Sequence, residues 1–543
     1  MFSPMIHPWL AISLALPGLA SQAQESPRLI VLVSVDQMIP EHLRRLQPWL
    51  EGGLQRFLEA EVWERARLAH GVSDTGPGHA TLASGVHPAR HGVIANTWMA
   101  AEDGATVYCA GDPGARALGP DGILENTPAA SPANLLAATL AEYVKRANPG
   151  ALAVGIAGKD RAAILATGKE ADWAFWWDMA GKGFTSSNWY GDRLPRWVMQ
   201  WNRGWVEEAS GFEWEDQQAG KLSGSGTEPD DRPGEPPGRA TLPHRAPRVQ
   251  SEADRRPLAG WVFNSPLVDA FTLELATKAV DELKLGADES VDYLFIGLSG
   301  CDTTGHLYGP YSHEVTDVLL RADRALEVFF QHLDERVGKN RWVAALSADH
   351  GVLELPESLR ERGIPARRMS LGAAGKLVRE LQSTMKEVFG EDLLLRLGWR
   401  GLRFSHQRML AAEVDPRDVE ELAASMFEEA DWMERVFTRT DFSNWKESNR
   451  SSDPLLDLMA RSYHPQRSAD LTFVFKPWTL FHPYGTSHGS PWPYDRRVPL
   501  AFLGPGHRPG KHYEPCATVD VCPTLLSRAG LTVPEDLDGQ VLP

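Results

Sequence analysis

The chain has 543 residues, a formal net charge of −17 and 43% apolar residues. This composition is typical of a globular protein with a large core. The negative charge argues against a general nucleic-acid-binding protein, because such a protein needs a basic face to replace the counterions of the phosphates. It does not argue against phosphate chemistry in one pocket, where bound cations can reverse the local field.

The first residues are typical of an export signal. Residues 9–19 form an apolar stretch, and the small-x-small sequence Ser21-Gln22-Ala23 follows it. We therefore expect residues 1–23 to be a signal peptide and the protein to be periplasmic or secreted. A buried first helix is the alternative, which Pro17-Gly18 disfavours. No later stretch reaches the about 20 apolar residues of a membrane span.

Six short apolar runs recur along the chain, and the first of them, Leu29–Val35, is rich in β-branched residues. Continuous runs of this kind are typical of strands that are buried on both faces of a parallel sheet. The runs are Leu29–Val35, Ala151–Ile156, Tyr293–Leu298, Trp342–Leu346, Leu471–Phe475 and Pro499–Leu503. Helices are predicted between several of them, over Val268–Leu283 and about Glu314–Val337. This alternation predicts an α/β fold with a largely parallel central sheet that is flanked by helices on both faces.

Two regions break this pattern. Residues 173–205 hold seven of the nineteen tryptophans, which either pack an irregular insertion, the commoner case, or form an aromatic wall near a substrate. Residues 217–257 are rich in Gly, Pro, Ser and charge, which predicts a flexible surface stretch. We therefore expect one catalytic unit over residues 24–543, with an inserted tryptophan-rich subdomain over about residues 170–260.

The four cysteines are Cys109, Cys301, Cys516 and Cys522. They contain no CxxC pair, so a cysteine zinc site is not expected. Export would permit disulfides, and Cys516 and Cys522 are the closest pair in sequence. The spacing does not define the connectivity, and free buried thiols are an equally good interpretation for Cys109 and Cys301.

Acidic residues and histidines follow the ends of several predicted strands. In open α/β sheets, ligands bind outside the carboxyl ends of the strands, so these side chains are expected to meet at one rim. One carboxylate with two imidazoles, or two carboxylates with one imidazole, suits zinc, whereas magnesium and calcium prefer oxygen ligands. Each residue alone could be a helix cap or a surface group, but six together predict a metal centre. The six are Asp36, Asp302, His306, Asp349, His350 and His488.

Thr75 begins a glycine-rich segment, Thr75-Gly-Pro-Gly-His79. Glycines let backbone amides approach an anion, and the compact run Ala80–Ser84 is expected to begin a helix whose N-terminus favours a phosphate. An ordinary loop with a capping threonine is the alternative interpretation. A threonine hydroxyl is a weak nucleophile at its own pKa, so this chemistry requires activation by a metal.

The ordered set of motifs resembles the alkaline phosphatase superfamily. Within it, the sequence is similar to the phosphate-irrepressible alkaline phosphatases with a threonine nucleophile, which are related to type I phosphodiesterase/nucleotide pyrophosphatases. The resemblance runs from about residue 28 to the carboxyl end and implies an alkaline-phosphatase-like sandwich. It rests on Asp36, Thr75-Gly-Pro-Gly-His79, Asn96, Lys159-Asp160-Arg161, Asp302-x-x-x-His306, Asp349-His350 and His488.

The resemblance implies two Zn²⁺ per chain and a phosphothreonine intermediate on Thr75. By position, one zinc would be held by Asp302, His306 and His488, and the other by Asp36, Asp349, His350 and Thr75. The first zinc would stabilise the leaving oxygen and then activate the water that cleaves the intermediate.

Lys159 and Arg161 bear on the class of ester. They point to the same side if the backbone is extended there. In the resembled monoesterases this pair and the residue at the position of Asn96 contact the oxygens that are not transferred, and the diesterase relatives lack the pair. A solvated charged turn is the alternative interpretation of the pair.

The sequence therefore predicts a broad-specificity alkaline phosphomonoesterase that acts on small-molecule phosphate esters. A phosphodiesterase or nucleotide pyrophosphatase on the same scaffold, and an exported binding protein without catalysis, are the alternatives. A sulfatase is disfavoured, because that relative needs Cys or Ser at the position of Thr75. Neither a stable nucleic-acid partner nor a membrane span is expected, and the oligomeric state is open, with a monomer favoured.

Overall fold

The structure, a computed structural model, describes residues 26–216, 225–238, 241–447 and 452–543. The predicted signal peptide, residues 1–23, lies outside the described residues. Thirteen strands form two sheets: β1 (Leu29–Val35), β2 (Glu61–Trp63), β3 (Ala153–Ala157), β4 (Trp173–Asp178), β5 (Gly183–Thr185), β6 (Asp292–Leu298), β7 (Trp342–Ser347), β8 (Leu394–Gly398), β9 (Gly401–Phe404), β10 (Met433–Thr438), β11 (Leu471–Phe475), β12 (Ala501–Leu503) and β13 (Gly510–His512).

Shorter two-stranded pairs are formed by Ala66–Arg67 with Cys516–Ala517, Thr97–Met99 with Thr106–Tyr108, Gly111–Gly119 with Gly122–Ala130, Glu213–Trp214 with His244–Arg245, and Arg367–Arg368 with Thr479–Leu480.

The longer helices are α1 (Thr75–Ser84), α2 (Leu140–Ala147), α3 (Asp160–Thr167), α4 (Arg255–Phe263), α5 (Leu267–Leu283), α6 (Gly300–Tyr308), α7 (His313–Leu333), α8 (Leu371–Phe389), α9 (Pro416–Glu428) and α10 (Val521–Arg528). Shorter helices span Pro40–Leu46, Gly53–Glu59, Pro88–His91, Arg196–Trp201, Trp205–Ala209, Pro356–Glu361, His406–Ala411, Arg439–Asn444, Pro454–Ala460 and Pro493–Arg496. Among the residues that the structure describes, none of these helices combines the length and the apolar character that crossing a membrane requires.

The central sheet has nine strands in the order β5-β4-β3-β6-β1-β7-β12-β2-β13. Strands β4, β3, β6, β1 and β7 are parallel, which confirms the predicted α/β fold with a largely parallel sheet. Val35 of β1 lies opposite Leu298 of β6, and Ser34 lies opposite Ser347 of β7. This register aligns the carboxyl ends of the three strands that precede most of the predicted metal ligands.

Two of the apolar runs have a different place from the one predicted. Leu471–Phe475 is β11, which lies in the second sheet, of order β8-β9-β11-β10. The run Pro499–Leu503 contains β12, which is antiparallel to β7. Strands β1, β6 and β7 are buried at every residue, whereas β11 is only half-buried at Thr472 and Phe475. A run of apolar residues indicates burial but not the partner strand or its direction.

The second sheet has a core of its own. Buried Leu402, Phe404 and Phe473 pack with residues of helices α8 and α9 into an apolar cluster that is separate from the main core. The β8–β9 hairpin carries Trp399 and Arg400 at its turn, and both residues line the same cleft as Asn96 and Arg161. The second sheet therefore supplies one side of the region where the predicted site residues meet.

The tryptophan-rich segment continues the central sheet through β4 and β5. Trp177 and Trp205 are buried, and their rings meet edge to face with centroids 5.0 Å apart. These two tryptophans therefore pack the inserted segment, which is the commoner of the two roles that the sequence allowed.

The described part of the stretch 217–257 also contacts the catalytic unit, because the Gly485 amide donates to the Gly234 carbonyl at 2.6 Å.

All four cysteines are buried free thiols, so Cys516 and Cys522 do not form a disulfide.

The close contact between α1 and the loop after β7 generates a prediction. A Cβ atom added at Gly78 would lie 2.1 Å from the Asp349 carbonyl oxygen, so the backbone of α1 must move to accept it. We expect Gly78→Ala to lower the free energy of unfolding by about 1–3 kcal/mol in chemical denaturation. Gly204→Ala is the control, because its Cβ would meet only the Trp201 carbonyl at 3.7 Å. Equal stability of the two variants would contradict this packing.

Candidate active site

The predicted acidic residues and histidines meet at the carboxyl ends of β1, β6 and β7. Asp36 directly follows β1, Asp302 lies in the first turn of α6, and Asp349 is two residues beyond β7. His306 follows Asp302 by four residues on α6, so the two side chains share one helix face. The structure thus brings the predicted set together and divides it into two groups that can each hold a metal ion.

The first group is Asp302, His306 and His488, whose candidate ligand atoms lie within 4.8 Å of one another. The Asp302 Oδ1 atom is 3.3 Å from His306 Nε2 and 3.7 Å from His488 Nε2. Each histidine Nδ1 lies against a main-chain carbonyl, at 2.9 Å to Thr486 O and 2.7 Å to Ser73 O. Because a carbonyl only accepts, Nδ1 donates and Nε2 faces Asp302, as is usual for metal-binding histidines.

The second group is Asp36, His79 and Asp349, within the same distance limit. His79 Nε2 is 3.1 Å from Asp36 Oδ1, and His79 Nδ1 lies 2.9 Å from the Thr75 carbonyl oxygen. Among the described residues, Asp36 Oδ1, His79 Nε2 and Asp349 Oδ2 are buried without a hydrogen-bond partner. Buried polar atoms without partners are costly, and a divalent cation bound by this set would satisfy them.

His350, the histidine predicted for the second group, lies between the groups. Its Nε2 atom is 3.1 Å from Asp349 Oδ2, 3.4 Å from Thr75 Oγ1 and 3.9 Å from Asp302 Oδ1. Its Nδ1 donates to the Gly351 carbonyl at 2.9 Å. No role for His79 was predicted from the sequence, although this residue is part of the Thr75–His79 motif. Its position one helical turn after Thr75 is the signal that could have identified it.

Neighbouring charges shift the pKa values of several residues in the site. Burial alone would raise the pKa of Asp302, but Lys159 and His306 hold it well below its usual range. Burial lowers and Asp349 raises the pKa of His350, and the net effect is a pKa of about 9. Binding of a metal ion at His350 would therefore release a proton.

The prediction that Lys159 and Arg161 point to the same side depended on an extended backbone. Lys159 directly precedes α3 and Arg161 lies in its first turn, so the backbone across the pair is not an extended strand. The Lys159 Nζ atom is 2.9 Å from Asp36 Oδ2 and 2.5 Å from Asp302 Oδ2, so it bridges the two groups. Burial lowers the pKa of Lys159, but Asp302 and Asp36 raise it above its usual value.

Arg161 and Asn96 line a cleft of about 560 Å³ that also contains His306 and His488. The Arg161 Nε atom is buried and has no hydrogen-bond partner among the described residues. Asn96 Oδ1 accepts a hydrogen bond from the Gly76 amide at 2.8 Å, so its NH₂ is the end that can donate to a ligand. Both side chains can therefore bind an anion.

Thr75 is the first residue of α1, a helix in which every residue is buried. The N-terminus of a helix carries a partial positive charge and free amides, which favours an anion there. The preceding residue, Asp74, is fixed by a two-pronged ion pair with Arg400 of the β8–β9 turn, at 2.7 and 2.6 Å. Asp74 also accepts a hydrogen bond from the backbone amide of Asn96 at 3.0 Å. Asp74 and Arg400 were not identified from the sequence.

Gln37 was also missed, and it connects the two groups. Its backbone amide donates to Asp349 Oδ1 at 3.0 Å, and its side-chain Nε2 donates to Asp302 Oδ1 at 2.9 Å. It is 1% exposed and has φ of +66°, a conformation that is uncommon for residues other than glycine. A Cβ atom at Gly305 would lie 2.1 Å from the Gln37 Oε1 atom, so a larger residue at this position of α6 would displace the Gln37 side chain.

The position of Gln37 predicts a role in metal binding. We expect Gln37→Leu to weaken the binding of Zn²⁺, used as the probe ion, to the metal-free protein by about 10–100-fold, because a leucine cannot donate a hydrogen bond to Asp302 and no longer orients it. Competition with a chromophoric chelator measures this affinity directly. Gln200→Leu, a change on an exposed helix residue, is the control. Wild-type zinc affinity and stoichiometry in Gln37→Leu would contradict the assignment.

Comparison with known proteins identifies the family of the chain. The chain matches the type I phosphodiesterase / nucleotide pyrophosphatase family over residues 30–489. It is 31% identical to the alkaline phosphatase PhoK of Sphingomonas sp, over 96% of this chain and 92% of that protein. It is 28% identical to the alkaline phosphatase PafA of Elizabethkingia meningoseptica, over 98% of this chain and 96% of that protein.

A crystal structure of wild-type PafA aligns with a TM-score of 0.84 at 26% identity, and the alignment covers 95% of this chain and 98% of that chain. The family match covers seven of the nine strands of the central sheet and ends in the loop that carries His488, whereas β12 and β13 follow it in the chain. The chain therefore belongs to the type I phosphodiesterase / nucleotide pyrophosphatase family and is an enzyme that hydrolyses phosphate esters.

Proposed function

We propose that the protein hydrolyses phosphate monoesters to an alcohol and inorganic phosphate, with Thr75 as the nucleophile and two Zn²⁺ as cofactors. The observation that carries the proposal is the position of Thr75. Its hydroxyl begins a buried helix, and its Oγ1 atom lies 3.4 Å from His350 Nε2 at the junction of the two metal-binding groups.

Zinc suits both sets of donor atoms, because each combines imidazole nitrogen with carboxylate oxygen. Asp302, His306 and His488 would hold one ion, and Asp36 and Asp349 would hold the other with His350 or His79. When bound, the ions supply positive charge that acidifies a nearby hydroxyl and stabilises a developing oxyanion.

The chain's own residues supply the covalent step and the positioning. The Thr75 oxygen attacks phosphorus and forms a phosphothreonine ester, while the bond from phosphorus to the alcohol oxygen breaks. Water then cleaves the phosphothreonine, which restores the hydroxyl and releases phosphate. The partial positive charge at the start of α1 favours negative charge beside Thr75 throughout.

A preference for monoesters rests on the extra charged oxygen that a monoester carries. Arg161, with its unpartnered Nε, and the Asn96 amide are placed along the cleft to bind the oxygens that are not transferred. The buried charge of Lys159 adds to the same field. We therefore propose that Asn96, Lys159 and Arg161 bind the phosphate group of the substrate, as the sequence predicts.

Hydrolysis of diesters is the second candidate function. The family match and the volume of the cleft favour it, because about 560 Å³ leaves room for a second ester group.

We also propose that residues 1–23 direct export, so that the enzyme acts in the periplasm or outside the cell.

The nucleophile assignment predicts the behaviour of two variants. We expect Thr75→Ala to lower kcat/KM for an aryl phosphate by about 10³-fold or more, because no covalent intermediate can form. Thr75→Ser keeps a hydroxyl and should retain most of this activity. Mass spectrometry after acid quench should find phosphate on Thr75 in the wild type and none there in Thr75→Ala. Turnover by Thr75→Ala at the wild-type rate would exclude this mechanism.

The ester class is tested through Arg161. We expect Arg161→Ala to lower kcat/KM for an aryl monoester by about 100-fold, and to change that for the corresponding aryl methyl diester by less than about tenfold. Arg203→Ala, at an exposed arginine away from the cleft, is the control. An equal loss of both activities would show that Arg161 does not discriminate, and a wild type that prefers the diester would favour the second candidate function.

A further inference from the structure

We propose that the cleft beside Thr75 holds an aromatic alcohol group of the substrate, with Trp98 as its main contact. The substrate class would then be aryl phosphate monoesters. This inference rests on the proposed function and adds a binding subsite to it.

The cleft is larger and more apolar than a phosphate group requires. A phosphate group fills only a small part of 560 Å³. Polar residues line the end where the catalytic groups lie, but much of the remaining lining is apolar or aromatic. It includes Trp98, Met99, Leu397, Trp399, Phe442 and Tyr463. Such side chains contribute nothing to binding phosphate itself, whereas they suit the apolar part of an ester.

The residues around Trp98 hold its side chain in a fixed position. It lies two residues after Asn96, in the strand Thr97–Met99, and is paired with Val107 of the adjacent strand. The Arg467 guanidinium covers its ring at 5.2 Å from the centroid. Arg467 is itself fixed by hydrogen bonds to two carbonyl oxygens, at 2.6 and 2.7 Å.

Arg467 is not part of the cleft lining, whereas Trp98 is. Part of the indole is therefore exposed to the cleft, while the rest packs against the main core and the Arg467 guanidinium. A rigid aromatic surface binds another ring at a low cost in conformational entropy, and stacking tolerates different rings.

Tyr463 and Phe442 add a second aromatic part to the lining. Their rings are stacked, with centroids 4.3 Å apart and 18° between the planes. Flat, rigid aromatic surfaces of this kind fit an aromatic group better than an alkyl chain.

The test compares each substrate with itself across variants, which cancels the different reactivities of the leaving groups. We expect Trp98→Ala to lower kcat/KM for phenyl phosphate by about tenfold or more and to change that for ethyl phosphate by less than about threefold. Trp98→Phe should restore most of the loss. Inhibition constants for phenylphosphonate and methylphosphonate measure the same difference in binding, without turnover.

Trp189→Ala is the matched control, because Trp189 is 42% exposed and outside the cleft lining. Equal losses for the phenyl and ethyl compounds in Trp98→Ala, or no loss for either, would overturn the subsite while leaving the phosphatase assignment intact. A wild type that hydrolyses neither monoester would instead refute the proposed function on which the subsite rests.

Discussion

The structure depends on one electrostatic constraint, which is that three carboxylates are buried side by side where β1, β6 and β7 end. Asp36, Asp302 and Asp349 are each at most 2% exposed. Like charges at such distances in a poorly hydrated place are very unfavourable unless cations neutralise them. Lys159 bridges two of the carboxylates, and His79 and His350 lie against the third. Asp36 Oδ1 and Asp349 Oδ2 each lie 3.1 Å from an imidazole nitrogen but accept no hydrogen bond from the described residues, so a metal ion at this rim would satisfy both oxygens.

This constraint explains the surrounding arrangement. A metal centre needs its donors fixed before the ion arrives, and here backbone groups fix them. Carbonyls orient three histidine rings through Nδ1, and Gln37 holds Asp302 and Asp349 in one relative orientation. The strained φ of Gln37 and the close approach of α6 at Gly305 are consistent with a site whose geometry is maintained at some cost in stability.

Much of the fold and of the site could be predicted from the sequence, because parallel strands have a direct signature. A buried strand reads as a continuous apolar run, and its carboxyl end marks where a ligand binds, which located Asp36, Asp302 and Asp349. The same signature cannot assign a run to a sheet, so β11 and the direction of β12 were not predicted correctly.

The residues that sequence reasoning missed act through contacts between distant segments. Arg400 reaches Asp74 across 326 positions, and Gln37 reaches Asp302 across 265. Local patterns carry no information about such pairs. The assumption of an extended backbone at Lys159 and Arg161 failed for a local reason, because α3 begins between them.

The division of the site between two sheets has a consequence for specificity. The groups that would perform the chemistry come from the ends of the central sheet and from α1, which are fixed by the main core. Part of the cleft that would receive the alcohol comes from the β8–β9 turn of the second sheet, whereas Trp98 packs against the main core, and Phe442 and Tyr463 belong to a third apolar cluster. The ion pair between Asp74 and Arg400 joins the two parts directly beside Thr75. Changes in the lining of the cleft can therefore alter which alcohol is accepted without moving the buried carboxylates, provided that this ion pair keeps the β8–β9 turn in place.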